Sequence, residues 1–207
     1  MKKIILAICL SAMPFVASAR EYAKNIVSVE AGYNTAWMTS YGVRSSVVPS
    51  FMAGITDQIL LSDQIPFYFE TGLLFQGKGY AVKGYEESRT RTYHLQIPVN
   101  VNYHISLTDL VSLEPGLGLY YSVGVGGKLS YAGDQIRIFK DGHMSRHDFG
   151  WTCGVNCGVS RYYVGLAYEM GFLEVDKTDP VYGAESGKLG YRNLRNYVFS
   201  VRVGVNF

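Results

Sequence analysis

Apolar side chains fall on every second residue through long stretches of this chain. The closing stretch, NYVFSVRVGVNF, puts Tyr197, Phe199, Val201, Val203, Val205 and Phe207 on one face, and Ser200, Arg202, Gly204 and Asn206 on the other. A period of two is the mark of a β-strand with one dry and one wet face. YHLQIPVNVNYHI repeats it: Tyr93, Leu95, Ile97, Val99, Val101, Tyr103 and Ile105 alternate with His94, Gln96, Asn100, Asn102 and His104. So does VSLEPGLGLYYSVGVGG from Val111, as do FYFETGLLFQGKG from Phe67 and YYVGLAYEMGF from Tyr162. Weaker copies begin at Val27, Val47 and Asp148. These segments run well past the usual strand of about 5–6 residues. With the last one they predict about eight long strands, and no segment carries a helical period.

The connections predict how the strands are joined. DQILLSDQI, SLTDL and Ser160-Arg161 are short, whereas Met38–Ser46, Tyr80–Thr92, Lys128–His147 and Leu173–Arg195 are longer and more polar. Short and long connections in turn predict an antiparallel up-and-down sheet with its long loops at one end. A soluble sandwich also alternates, but it buries the apolar face against a second sheet. That arrangement explains neither the strand length nor wet faces rich in Gly, Asn, Gln and scattered charges. A bilayer explains both, since about 9–11 tilted residues cross its hydrocarbon and a closed sheet leaves no edge unpaired. The predicted fold is all-β: an antiparallel up-and-down transmembrane β-barrel of about eight strands, its lumen filled by side chains.

The opening residues change the picture of location. Lys2 and Lys3 precede an apolar run from Ile4 to Leu10, then Ala17-Ser18-Ala19. This is the layout of a secretory signal peptide cleaved after Ala19, with Ala17 and Ala19 as its small-residue site. Residues 1–19 are therefore expected to be the leader and residues 20–207 the barrel domain. A lipoprotein signal ending at Cys9 is disfavoured by the bulky Ile8 before it. Without Lys2 and Lys3 the chain holds 17 basic and 17 acidic residues, a balance that argues against nucleic acid as a partner. Aromatics at 14%, with 17 Tyr and 23 Gly, suit a β protein with ring belts and sharp turns.

The strand patterns YHLQIPVNVNY and RYYVGLAYEMG, and the polar YRNLRN leading into a last strand that ends in Phe, resemble a known family. It is that of the small outer-membrane barrels of the OmpA/OmpX shape, particularly the PorT-like "porin family" branch. The resemblance implies the outer membrane of a Gram-negative bacterium, with long loops extracellular and both termini periplasmic. It also implies that Phe199, Val201, Val203, Val205 and Phe207 form the recognition signal for the outer-membrane insertion machinery. Outer-membrane lipids, lipopolysaccharide included, are the expected surroundings, and an extracellular or envelope protein is a possible further partner.

Candidate chemistry is sparse. Glu30, Glu70, Glu114 and Glu169 fall on inward phases with Lys78, Lys128 and Arg202. Paired carboxylates can serve acid–base catalysis, but charges in a narrow lumen must pair in any case, because an isolated buried charge costs several kcal/mol. They are expected to form a charge network, with Arg202 bridging at least one of Glu30, Glu70 and Glu114. His94 and His104 lie too far apart on one strand to share a metal, and His143 and His147 form at most a surface pair. Ser145, His147 and Asp148 supply the residue types of a hydrolytic triad without its geometry. Cys153 and Cys157 share one face at a spacing beyond disulfide reach and are expected to face lipid. Loop tyrosines (Tyr41, Tyr80, Tyr85, Tyr131, Tyr182, Tyr191) suit headgroup level. No cofactor or metal is expected. The functional expectation is a non-catalytic structural or surface-binding barrel. A narrow passive channel for small solutes and a lipid A-modifying barrel enzyme stay as alternatives.

Overall fold

The computed structural model describes residues 23–40, 43–82, 88–131, 134–140, 144–175 and 194–207. The expected leader with Ala17 and Ala19, His143, and the tyrosines at 41, 85, 182 and 191 lie outside these residues. The sheet has 11 strands, of which three are pieces of two or three residues. The eight long strands are β1 (Asn25–Ser40), β2 (Val48–Ser62), β3 (Ile65–Val82), β4 (Ser88–Tyr103), β5 (Val111–Tyr131), β6 (His147–Val159), β7 (Tyr162–Gly171) and β8 (Arg195–Asn206). Each pairs antiparallel with its sequence neighbour, and β8 pairs back onto β1 from Ser28↔Asn206 to Thr39↔Arg195. The sheet is a closed barrel.

Closure imposes a stagger. Successive register partners run from Val27 through Asp57, Thr71, Val99, Leu119, Trp151, Met170 and Tyr197 to Trp37, 10 residues further along β1. Such an offset requires strands tilted about 35–45° to the barrel axis.

The distribution of polarity is inverted relative to a soluble protein. Leu117 is 70% exposed, Val203 56% and Tyr33 53%, whereas Glu70 is 3% exposed and Gln76 and Lys78 1% each. The apolar face of every long strand thus looks outward and the polar face fills the lumen. A continuous apolar exterior is untenable in water. Rings band this exterior towards the end opposite the termini. Trp37 stacks on Tyr197 at 5.8 Å and Phe75 on Tyr93 at 5.7 Å, with Tyr168 and Trp151 beside them.

The strands also outrun their apolar pattern. β2 continues to Ser62, so the turn expected from Asp57 to Ile65 shrinks to Asp63-Gln64. β3 and β4 extend to Val82 and from Ser88, through most of the stretch expected as a loop over Tyr80–Thr92. Past the apolar band the outward face no longer needs apolar residues, so Arg89 and Arg91 alternate with buried Thr90 and Thr92 and the signal vanishes from the sequence. β5 likewise reaches Tyr131, and Asp134–Ile136 folds back on it.

One expectation fails here for a definite reason. Lys128 was expected to face the lumen, but it is exposed on the outer face. The β4–β5 register slips by one residue between Tyr93↔Gly126 and His94↔Gly124, leaving Val125 as a bulge. A one-residue insertion reverses which residues point inward. Beyond it Lys128 turns out and Leu129 turns in, against an apolar cluster of Met38, Ile138, Phe139, Met144, Val175 and Leu194. Tyr80 packs there too, and not at a loop edge. The 144–175 backbone is tied across this end by Ser145 N–H to Val175 O at 2.7 Å and Val175 N–H to Leu194 O at 3.0 Å. Gly124 makes room beneath the cluster, because a Cβ there would meet the Phe139 ring and force it to shift.

Candidate functional site

The wet faces of the eight strands converge on a lumen in which each carboxylate has its own set of donors. Towards the termini, Glu70 accepts hydrogen bonds from Gln58 Nε2 at 3.0 Å and from Asn100 Nδ2 and Asn102 Nδ2 at 2.8 Å each. Glu70 has no ion pair among the described residues; three amides supply the donors instead. Glu114 lies 2.7 Å from His104 Nδ1, just past the end of β4. Glu30 accepts the Tyr163 hydroxyl at 2.8 Å, and Arg202 Nη1 stands 3.4 Å away. Arg202 also donates twice to Asn156 Oδ1, at 3.3 and 3.1 Å. Gly204 leaves room for the Tyr163 ring, which a Cβ would strike.

Further along, Glu169 accepts Gln96 Nε2 at 2.8 Å and Gln76 Nε2 at 3.3 Å, with Lys78 Nζ at 3.8 Å. Lys78 makes its shorter pair with Asp148, at 3.1 Å, and lies over the Tyr120 ring at 4.2 Å. The Tyr120 hydroxyl and Asn196 Nδ2 complete the shell of Asp148 at 3.2 and 2.9 Å. Between these groups the space bounded by Gln76, Gln96, Asn100, Glu169 and Arg202 amounts to about 20 Å³. A single water needs about 10–15 Å³ by this kind of measure.

The expected residues therefore separate into local clusters. Arg202 reaches Glu30 but makes no ion pair with Glu70 or Glu114, which have partners of their own. The Lys78–Asp148–Tyr120–Asn196 cluster was missed, because Asp148 was read with Ser145 and His147. Its signal lay in strand phase: Asp148, Gly150, Thr152, Gly154 and Asn156 occupy alternate positions of β6 and share one face. The same alternation dismantles the triad. Asp148 is buried inside, whereas His147 points outward and bonds the Tyr121 hydroxyl at 2.6 Å, and Ser145 Oγ donates to the His147 carbonyl. His94 is buried against Thr92 and Ser122. Cys153 and Cys157 are free thiols on the outer face. Among the described residues no group of three metal-ligating side chains is assembled.

A polar, filled lumen inside an apolar, ring-banded closed wall is the arrangement a bilayer demands. Residues 26–176 match the family model for "Outer membrane protein beta-barrel domain". The chain belongs to this outer-membrane β-barrel family. Solved barrels share its fold. It is similar to Neisserial surface protein A (NspA), with 15% identity over 89% of this chain and 98% of that one and a TM-score of 0.51. It is also similar to OprG from Pseudomonas aeruginosa, with 12% identity over 91% and 98% and a TM-score of 0.51. Ail of Yersinia pestis aligns at 12% identity over 89% and 100%, with a TM-score of 0.46. No curated protein matches the chain in sequence. The phase-derived strands of this outer-membrane barrel agree with β1–β8.

Proposed function

We propose that this outer-membrane barrel is non-catalytic and acts by presenting its long connections at the cell surface, with the termini periplasmic and the lumen closed to solutes. The observation that carries this is how the interior is filled: the cavity bounded by Gln76, Gln96, Asn100, Glu169 and Arg202 holds only about 20 Å³ among side chains that bind one another. An open channel needs a continuous wet path, which a small barrel filled by its own side chains does not leave. Against an enzymatic role, Asp148 is buried in the lumen while His147 points outward to the Tyr121 hydroxyl. The long connections, which lie at the end away from Asn25 and Asn206, are the surface left for a partner. The test is conductance of the purified protein in planar bilayers. No steady current is expected; large, stable, porin-like channels would make transport the function instead.

A further inference from the structure

The end of the barrel away from the termini carries a cleft of about 750 Å³ with six cations in its wall: Arg89, Arg91, Lys128, Arg137, Lys140 and Arg146. Among the described residues no carboxylate lines it, and none forms an ion pair with any of the six. Arg91 and Lys128 are direct cross-strand partners, and like charges so placed repel. Lys128 is there because the Val125 bulge turns it outward. Arg146 is held in place, donating to Gly124 O at 3.3 Å and Phe139 O at 3.2 Å, with its guanidinium over the Phe139 ring at 5.4 Å. A strand that spends register and repulsion to gather cations is built for an anion.

Height selects which anion. Tyr93 also lines the cleft, and its ring belongs to the aromatic band with Phe75 and Phe51. Arg91 is the next outward residue along β4, about 6.6–6.8 Å along the strand from Tyr93 and, at the tilt of the barrel strands, about 5 Å above it. The cations therefore begin where aromatic rings mark the membrane interface. Guanidinium groups match phosphate oxygens two at a time. We propose that the cleft binds the phosphates of an outer-leaflet glycolipid headgroup, holding the barrel against its surrounding lipid. This rests on the orientation given above, with this end outside.

The test uses the full barrel in phosphatidylcholine nanodiscs, with lipid A retention followed by native mass spectrometry. Bisphosphorylated lipid A should be retained at least about tenfold better than dephosphorylated lipid A, the preference set by charge-assisted bonds. The triple variant Arg91→Gln, Lys128→Gln, Arg137→Gln should lose that preference while keeping heat-modifiable mobility on gels. Lys24→Gln, an exposed cation at the other end, should keep it. Equal retention of both lipids, an unaffected triple variant, or tight binding of a soluble sulfated oligosaccharide without lipid preference would each overturn the proposal. Labelling a Cys introduced at exposed Ser130 on intact cells tests the orientation separately: protection from an impermeant reagent would overturn the outer-leaflet assignment even if phosphate binding held in nanodiscs.

Discussion

Single residues in the lumen differ in what their removal should cost, and burial of the charge pair decides the order. Lys78 and Asp148 form a pair with side chains 0% exposed, so Lys78→Met should leave a buried carboxylate without its cation. The expected loss is about 3–5 kcal/mol by urea unfolding in lipid vesicles. His104→Gln weakens a pair whose histidine is 20% exposed and should cost only about 1 kcal/mol. Equal losses would contradict this order. Arg202→Leu should fall below Lys78→Met, since its pair with Glu30 is longer, at 3.4 Å, and the Arg202 side chain is 12% exposed. At this scale the sequence was legible only in part. Phase alone put Glu30, Glu70, Glu114, Glu169 and Arg202 inside, yet it could not say that Asn100, Asn102 and Gln58 would serve Glu70 in place of Arg202. Which donor meets which acceptor depends on the 10-residue stagger, a property of the closed sheet and not of any one strand.

Elements were legible wherever a strand has lipid on one face. β7 and β8 lie within their alternating segments almost residue for residue, because each outward position there must be apolar. Legibility failed where strands leave that belt, as at Ser88–Thr92, and where one residue is inserted without leaving a mark in composition, as at Val125. The bulge makes a further expectation. Lys128→Leu should leave stability nearly unchanged, whereas Leu129→Lys places a charge against the apolar cluster of Met38, Phe139 and Met144 and should lower it by several kcal/mol. Equivalent behaviour of the two would mean that β5 keeps a single phase throughout. For β8, deletion of Phe207 should reduce assembly into the outer membrane far more than synthesis or export. Normal surface levels of the deletion would count against a terminal insertion signal.

At the scale of the whole molecule, closure leaves every long strand with two hydrogen-bonded neighbours. In lipid an opened strand has no water to satisfy its backbone, so the unboiled protein should stay folded in SDS and migrate differently after boiling. Identical mobility before and after heating would argue against a closed sheet. Outside the apolar cluster and the cation cleft, the connections at the end away from the termini are where variation costs this scaffold least, since the wall and the lumen network lie outside them.

The seam between β1 and β8 has a consequence for the order of events in time. Ser28 Oγ donates to Asn206 Oδ1 across 178 positions of chain. No early product of synthesis can shut the wall, because the partner of the first strand is made after the other six long strands. Contacts so remote in sequence form slowly. Until they do, the chain exposes two unpaired strand edges and an apolar flank, the features that drive aggregation. A chain so exposed is expected to need an escort, unfolded, to the bilayer that completes it.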